Sequence, residues 1–314
     1  MILNPDSAPL TRDIADYPEG IIIPIDKPYR WTSADVIRKV KYAAIRHFGK
    51  KNLKVGHAGT LDPLATGVLL VCIGKATKLA EELQSHDKEY VAGVTFGATT
   101  PSYDLEKEID RFFPHEHISA EAVENALPAF IGEQDQIAPL FSAKSVDGVR
   151  AYELARKLYK ANSENESVQS SDLDTAAEQL LRVSRINITE LELLRFAGRN
   201  EGLMDRATRG TEAGGPQAER SGGVSEANVH EPSSCQHATT ASSRINVTDN
   251  SALGLPRAEI RMACSKGTYV RAFARDLGEA LGSGAHLDSL QRSRSGQFRV
   301  ENALTVEQAL QKLL

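Results

Sequence analysis

Residues 56–67 read GHAGTLDPLATG and place one carboxylate, Asp62, among three glycines. Glycines permit backbone conformations and close approaches that side chains forbid, and Pro63 biases Asp62 away from the α-helical region. The segment therefore predicts a bend that displays the carboxylate. Taken alone, such an aspartate is compatible with a nucleophile, a metal ligand, a helix cap or a turn residue, and we favour the turn on this segment by itself. The GxxxxGK[ST] spacing of a phosphate-binding loop is absent.

The residues before this segment predict a strand followed by a helix. Residues 20–25, GIIIPI, form a β-branched run that suits a buried strand. Ser33 is a suitable N-cap for a helix, and Asp35 suits its first turn. Apolar residues then recur at helical spacing until Gly49, at Val36, Val40, Ala44 and Phe48.

The rest of the chain mixes strand and helix patterns. Strand character is found at residues 68–73, 89–96, 186–196 and 258–264, and helical character at residues 121–131, 151–159, 272–281 and 306–314. The second of these strands mixes apolar and polar positions, which suits a sheet with one solvated face. We predict an α+β fold, with a mixed, mainly antiparallel sheet and flanking helices.

Two polar stretches interrupt these patterns. Residues 162–174 are Ser-rich, and residues 198–256 are rich in small and polar residues. The longer stretch cannot bury enough apolar surface to offset its ordering entropy, so we predict a disordered insertion there, with pairing of the strands on either side. The predicted organisation is an N-terminal tail (1–19), a domain (20–304) with these two insertions, and a C-terminal helix (305–314).

The composition, 41% hydrophobic and 25% charged in 314 residues, is that of an ordinary soluble protein. No run approaches the roughly 18 apolar residues of a membrane helix, and the N-terminus lacks an apolar secretory stretch, so we expect a cytoplasmic protein. Cys72, Cys235 and Cys264 lie far apart without CxxC spacing, which indicates neither a disulfide framework nor a zinc site.

A formal net charge of −5 argues against nucleic-acid binding, but the charges are unevenly distributed. From residue 38 to residue 54 there is no Asp or Glu. We call the cations of this stretch the basic stripe: Arg38, Lys39, Lys41, Arg46, Lys50, Lys51 and Lys54. A solvated helix face explains the stripe when it is taken alone, and a surface for a phosphate backbone is the alternative.

Residues 56–78, GHAGTLDPLATGVLLVCIGKATK, resemble the active-site loop of the TruB-type tRNA pseudouridine synthases, the family that modifies uridine 55. Other segments resemble further motifs of that family, in the family's order: IDKPYRWTS (25–33), KEYVAGVTFGATTPSYD (88–104), APLFSAKSVDGVRAYELAR (138–156) and CSKGTYVRAFARDLGEALGSGAHLDSLQRSRSGQF (264–298). The resemblance spans most of residues 20–304 outside the insertions. It implies the pseudouridine synthase catalytic fold and the isomerisation of one uridine in the T-loop of tRNA.

The resemblance also implies the reacting pair. Asp62 would be the nucleophile that detaches uracil from its ribose, so that the base can rotate and rejoin through carbon. A carboxylate suits this role because glycosidic chemistry passes through oxocarbenium character. Arg271 resembles the arginine that pairs with the catalytic aspartate, whose charge it would stabilise. Taken alone, Arg271 would be interpreted as an exposed salt-bridge residue.

Further residues match positions around the substrate. Tyr90 matches the family tyrosine that stacks on the flipped base. Tyr269 and Leu290 correspond to residues of the pocket wall, although each of these three, taken alone, would be interpreted as packing. His57 corresponds to a histidine near the everted nucleotide or the RNA, and we do not expect it to act as an acid or base. Lys27, with the basic stripe, would serve the RNA backbone.

Two residues depart from the family's pattern. Arg30 stands where glycine is usual, and Ala58 stands where many members have threonine. Both bear on loop geometry and RNA contacts. The sequence ends soon after the last motif, so we expect a bacterial member that lacks the C-terminal PUA-type RNA-binding domain.

Two other classes of protein remain open on the sequence. A non-catalytic RNA-binding protein that helps tRNA fold would use the same surface, although it would tolerate the loss of Asp62, Tyr90 and Arg271. A nucleoside hydrolase or base glycosylase shares the carboxylate and the extruded base but releases free base. We expect no metal or organic cofactor, because isomerisation is redox-neutral and the nucleophile comes from the protein. We also expect a monomer that acts on the T-arm stem-loop of tRNA and has no membrane partner.

Overall fold

The protein has an α+β fold in a computed structural model that describes residues 1–142, 144–146, 148–162, 169–205 and 245–314. Within these ranges the α-helices are α1 (Ser33–Phe48), α2 (Ala80–Ser85), α3 (Ala120–Ala126), α4 (Ala151–Asn162), α5 (Ser170–Leu180), α6 (Val270–Ala280) and α7 (Val306–Gln311). The strands are β1 (Ile21–Lys27), β2 (Val55–Ala58), β3 (Ala65–Ile73), β4 (Lys88–Phe96), β5 (Ala98–Thr99), β6 (Arg111–Phe112), β7 (Gly132–Gln136), β8 (Ser145–Val146), β9 (Val149–Arg150), β10 (Ser184–Ala197), β11 (Met204–Asp205), β12 (Arg257–Cys264), β13 (Ala285–Ser295) and β14 (Phe298–Arg299).

One large sheet organises the described residues, in the order β1-β3-β13-β4-β12-β10-β11, with β2 added to β3, β7 to β10 and β14 to β13. Neighbouring strands are antiparallel except β3 and β13, which run parallel. The predicted mixed, mainly antiparallel sheet is confirmed. The predicted pairing of the strands that flank the long insertion, β10 and β12, is also confirmed.

The parallel pair brings the end of the Asp62 loop against β13. Gly67 of β3 lies beside Arg292 of β13 and has a φ of 97°. A Cβ at this position would lie 2.2 Å from the carbonyl oxygen of Arg292. The last glycine of the loop is therefore required both for its backbone conformation and for this close approach.

Two hydrophobic clusters form most of the core. One packs α3 and α6 against β4, β10 and β12, and includes Phe96 and Phe273. The other packs α1 and α7 against β1 and β3, and includes Val40. Tyr90 and Leu290 are packed against both clusters. Two of the predicted site residues therefore lie where the clusters meet.

The start of α1 differs from the prediction by one residue. The N-cap is Thr32, whose side chain accepts a hydrogen bond from the Asp35 amide, while the Asp35 side chain accepts from the Thr32 amide. This reciprocal capping box leaves Ser33 free for another contact. The Ser33 hydroxyl accepts from the Leu61 amide at 3.0 Å and donates to the Leu61 carbonyl at 3.2 Å. The helix start thus contacts the loop that carries Asp62.

Residues 1–19, which we expected to form a tail, pack against the rest of the protein. Leu3 and Leu10 are buried. The Leu10 amide donates to the Lys312 carbonyl at 3.0 Å, and Arg12 donates to the Leu314 carbonyl at 2.5 Å. Both chain ends therefore lie on one surface.

The described residues of the two predicted insertions are ordered. Residues 170–174 form the start of α5, where Leu173 is buried. In the longer stretch, Met204 pairs with Phe196 of β10, and the Thr248 amide donates to the Leu105 carbonyl at 2.9 Å. The prediction of disorder is wrong for residues 198–205 and 245–256, because hydrogen bonds to the domain hold them. Residues 206–244 lie outside the described residues.

Arg30, which stands where the resembling family has glycine, adopts a φ of 62°. This is the left-handed region that glycine enters without steric cost. The Arg30 guanidinium donates to the Ile245 carbonyl at 2.8 Å. The departure from glycine thus links the first motif to the chain that returns from the long insertion.

Cys72 and Cys264 are buried free thiols, and burial raises the pKa of each to about 11. Cys235 lies outside the described residues. No described helix is both long and apolar enough to cross a membrane. Among the same residues, no group of three or more His, Cys, Asp or Glu side chains is positioned to hold a metal ion.

Candidate active site

The Asp62 loop connects β2 to β3 and is held by contacts to its backbone. Ser33 binds both polar groups of Leu61. Arg292 is buried and donates to the Gly59 carbonyl at 3.1 Å and to the Val68 carbonyl at 2.7 Å. The Asp62 side chain is 39% exposed. The loop therefore presents a carboxylate to solvent from a fixed backbone.

Arg271, which is 209 residues from Asp62 in sequence, binds this carboxylate. It lies at the start of α6, is 5% exposed, and donates from Nε to Asp62 Oδ2 at 2.9 Å. Its two other nitrogens donate to backbone carbonyls, at 3.0 Å to Ser102 and at 2.7 Å to Phe141. All three guanidinium nitrogens are thus occupied, which fixes the orientation of the group towards Asp62.

A second carboxylate, Asp104, shares the same guanidinium. Asp104 Oδ2 lies 3.7 Å from Arg271 Nε, and Oδ1 accepts from the Ser102 hydroxyl at 2.6 Å. Burial raises the pKa of Asp104, and the nearby Arg271 charge opposes that shift. Asp104 ends one of the quoted motifs, but its type and position alone gave no signal that it would lie beside Arg271.

A cleft of about 380 Å³ opens beside this pair. Five of the predicted site residues line it: Asp62, Tyr90, Tyr269, Arg271 and Leu290. Tyr90 of β4 is opposite Arg292 in the sheet register, and burial raises its pKa. Gln136 bonds the backbone of Tyr269, accepting from its amide at 2.8 Å. The structure therefore brings together residues that are spread over more than 200 positions of sequence.

Cationic side chains that the sequence analysis did not single out also line the cleft: Lys88, Lys144, Arg150, Lys266 and Arg292. Asp62 is the carboxylate among the described lining residues. Lys88 donates to the His86 carbonyl at 2.5 Å, and burial lowers its pKa to about 8. A cleft with this charge attracts anions, including phosphates.

Lys27 does not have the predicted role at the RNA backbone. Its side chain is fully buried, and its ammonium donates to the carbonyls of Trp31 at 2.6 Å, Pro28 at 2.9 Å and Pro63 at 3.2 Å. Burial lowers its pKa to about 7, and the nearby Asp62 charge acts in the opposite direction. A buried ammonium cannot reach a phosphate. Lys27 instead stabilises the Asp62 loop through its hydrogen bond to the Pro63 carbonyl.

His57 lies on β2, two residues before the carbonyl that Arg292 binds. It is half-buried, and burial together with the Arg292 charge lowers its pKa. It does not belong to the described lining of the cleft. His57 therefore belongs to the strand that leads into the Asp62 loop and is not among the described residues that line the cleft.

Two family models match the sequence. Residues 46–189 match "TruB family pseudouridylate synthase (N terminal domain)", and residues 271–314 match "tRNA pseudouridylate synthase B C-terminal domain". Both matches define the class of protein as a pseudouridylate synthase, an isomerase. The second match includes Arg271 and β13.

Curated relatives match nearly the whole chain. A protein of Phocaeicola vulgatus named tRNA pseudouridine synthase B is 44% identical over 93% of this chain and 92% of its own length. A protein of the same name from Bacteroides fragilis is 42% identical over 92% of each chain. The chain belongs to the TruB family of pseudouridylate synthases.

The fold has a counterpart among solved structures. A chain in the crystal structure of a Cbf5-Nop10-Gar1 complex matches 97% of this chain with 56% of its own length, at a TM-score of 0.51 and 21% identity. At that identity the likeness concerns the fold, which is the expected pseudouridine synthase catalytic fold. This chain spans about half the length of that one.

Proposed function

We propose that this protein is a tRNA pseudouridine synthase that converts uridine 55 in the T-loop of tRNAs to pseudouridine, with Asp62 as the nucleophile. Relatives over 40% identical that are named tRNA pseudouridine synthase B support the activity and the substrate class. The observation that carries the proposal is the exposed carboxylate of Asp62, held by the buried Arg271 at the edge of a cationic cleft.

The reaction requires a group that helps uracil leave and return. The bond between N1 and C1′ breaks, the base turns, and C5 bonds to C1′; C5 then loses a proton and N1 gains one, so the product is an isomer of the substrate. A carboxylate can act as the nucleophile during the first step and be released in the last. Arg271 holds Asp62 in place for both steps, and no metal or organic cofactor is needed.

The cleft suits a nucleotide that has left its helix. A volume of about 380 Å³ lies within the range of small-molecule sites. Tyr90 and Tyr269 line the cleft together with Asp62, and Leu290 adds an apolar side chain to the same lining. Stacking and apolar contact are the usual means of holding an extruded base. Arg150 and Lys266, the exposed cations among the described lining residues, are placed to contact the phosphates on either side.

The basic stripe supplies a second surface for RNA. All seven of its side chains are exposed, and the ion pair found for it among the described residues is Arg38 with Asp35, at 2.9 Å. Tyr42, 71% exposed, lies on α1 between Arg38 and Arg46 at helical spacing. Because α1 starts at the Asp62 loop and β2 returns to it, the stripe extends outward from the cleft. We propose that it binds the tRNA backbone, and that the protein acts as a cytoplasmic monomer.

The test uses an unmodified T-arm stem-loop and maps pseudouridine after incubation with the protein. We expect product at the position of uridine 55 with the wild type. Asp62→Asn should lower the rate at least about 10³-fold, as removal of a nucleophile does. Asp87→Asn, an exposed aspartate outside the described lining of the cleft, is the matched control and should retain the rate.

Three results would contradict the proposal. Undiminished product with Asp62→Asn would exclude Asp62 as the nucleophile. Accumulation of free uracil would indicate a glycosylase. Product at another uridine, with none at position 55, would refute the proposed target.

A further inference from the structure

A second arginine follows Arg271 on the same face of α6. Arg275 lies one helical turn later, and its side chain is 11% exposed. Arg271 donates to the carbonyl of Phe141, and Arg275 donates to the carbonyl of Ile137 at 3.2 Å. The two guanidiniums therefore bind the same stretch of chain, although the proposed chemistry uses only the first.

Arg275 forms a largely buried cluster with Asp174 and Tyr103. Asp174, on α5, lies 3.2 Å from Arg275 Nη1 and accepts a hydrogen bond from the Tyr103 hydroxyl. The guanidinium carbon of Arg275 is 5.9 Å from the centre of the Tyr103 ring. Tyr103 is 3% exposed, so its hydroxyl is fixed by this contact rather than by solvent.

Tyr103 lies in sequence between Ser102 and Asp104, and both of these residues contact Arg271. The Ser102 carbonyl accepts from Arg271 at 3.0 Å, and the Asp104 carboxylate lies 3.7 Å from it. Tyr103 itself has a φ of 55°, a conformation that costs energy for a residue with a side chain and persists only when its surroundings impose it. Its carbonyl accepts from the Leu287 amide at 3.0 Å, and its hydroxyl bonds Asp174.

The helix α5, which carries Asp174, is also hydrogen-bonded to residues that flank the 102–104 turn. At the start of α5, the Ser170 amide donates to the Asp110 carboxylate, and the Ser170 hydroxyl bonds that of Thr99 at 3.2 Å. Thr99 in turn donates to Asp110 at 2.8 Å. Leu173 buries the inner face of the helix. The position of Asp174 is therefore fixed in two ways: by the contacts of α5 with Thr99 and Asp110, and by its own hydrogen bond with Tyr103.

We propose that Tyr103 and Asp174 are positioning residues for catalysis, acting through Arg271. The hydrogen bond between them holds the turn at residues 102–104 in its left-handed conformation. That turn presents the Ser102 carbonyl and the Asp104 carboxylate to Arg271, which in turn orients Asp62. The inference rests on the proposed function, since it needs Asp62 and Arg271 to be the reacting pair.

The first measurement compares kcat and KM for pseudouridine formation in Tyr103→Phe and Asp174→Asn. Tyr103→Phe keeps the ring and removes only the hydroxyl. We expect kcat to fall roughly tenfold in each variant, about 1.4 kcal/mol of barrier, with KM changed less than about twofold, since small misplacements of reacting groups act on the chemical step. Thr175→Ala, an exposed neighbour on α5, is the matched control and should retain kcat.

The second measurement separates positioning from general stability. In an Arg271→Lys background, Tyr103→Phe should lower kcat by less than about twofold, because the group it positions is already gone. An equal loss in both backgrounds would overturn the inference, as would an unchanged kcat in the wild-type background. Loss of the cooperative unfolding transition in both Tyr103→Phe and Asp174→Asn would also overturn it, since the cluster would then serve the fold.

The same assays distinguish this inference from the proposed function. If the wild type forms no pseudouridine, the proposed function fails. If the wild type forms pseudouridine and Tyr103→Phe matches its kcat, only the positioning role fails.

Discussion

Asp62 and Arg271 are 209 residues apart in sequence and are joined by a hydrogen bond of 2.9 Å. The two side chains are unequally exposed: the carboxylate is 39% exposed and the arginine 5%. The arginine is thus part of the protein interior, whereas the carboxylate can be approached by a substrate. The pair therefore has the asymmetry expected of a nucleophile and the group that holds it.

Replacing Arg271 with lysine should separate charge from geometry. Lysine keeps the positive charge but cannot bind Asp62 and the two carbonyls, of Ser102 and Phe141, in one plane. We expect kcat for tRNA to fall roughly 100-fold, with KM within a few fold, because preorganised contacts act mainly on the chemical step. Steady-state kinetics measure this change, and the exposed Arg299→Lys is the control. A kcat within twofold of wild type would show that charge alone is sufficient.

Asp104 should influence catalysis through Arg271. It is not among the described residues that line the cleft beside Asp62. Asp104→Asn keeps the shape and the Ser102 contact but removes the charge that Arg271 balances. We expect kcat to fall roughly tenfold, because the guanidinium then shifts its interaction towards Asp62 and weakens the nucleophile. Glu108→Gln, exposed in the same segment, should have no effect. Equal activity of the two variants would contradict this role for Asp104.

Much of the fold followed from local patterns, but the central strand β13 did not. The sheet register of β13 against β4 shifts between Leu287 and Ser289 and again between Arg292 and Arg294. Such irregularities interrupt the two-residue alternation by which a strand is recognised in a sequence. The elements β1, β4 and α1 were predicted correctly from their residue patterns. The solvated face expected for β4 is not found, because β4 is a central strand and residues 92–96 are all buried.

Some residues of the site could likewise be predicted from the sequence, and others could not. Asp62, Tyr90 and Arg271 were predicted from motifs, and the structure brings them to one cleft. Lys27 was given a role at the RNA backbone on the resemblance, a role that needs only charge and reach, whereas the structure buries its side chain. Its partners are backbone carbonyls, of which Pro63 belongs to a distant segment, so no residue type in the sequence identifies them.

The buried Lys27 should make stability depend on pH. Its pKa is about 7 in the folded protein and near 10.4 in an unfolded chain, so between these values the unfolded state holds a proton that the folded state lacks. The free energy of unfolding of the wild type, relative to Lys27→Met, should therefore rise with pH over this window, by up to about 1.4 kcal/mol per pH unit. Below pH 7 the contribution is lost.

Guanidinium unfolding of the wild type and of Lys27→Met at pH 7, 8 and 9 measures this difference. The exposed Lys78→Met is the matched control, and its difference from wild type should not change with pH. A flat difference for Lys27→Met would mean that the three carbonyl contacts keep the ammonium charged in the folded protein.

The basic stripe should affect binding and not chemistry. Neutralising Arg38, Lys41 and Arg46 to glutamine should weaken tRNA binding and raise KM. We expect kcat at saturating tRNA to stay within about twofold, because these exposed side chains of α1 are outside the described lining of the cleft. Each lost phosphate contact lowers the slope of log Kd against log salt by about 0.7–0.9, so the triple variant should lose about two units of slope. Filter binding between about 50 and about 300 mM KCl measures this slope. Neutralising three exposed cations elsewhere, Lys75, Lys78 and Arg299, controls for net charge, and an equal loss of slope in that control would refute a specific role for the stripe.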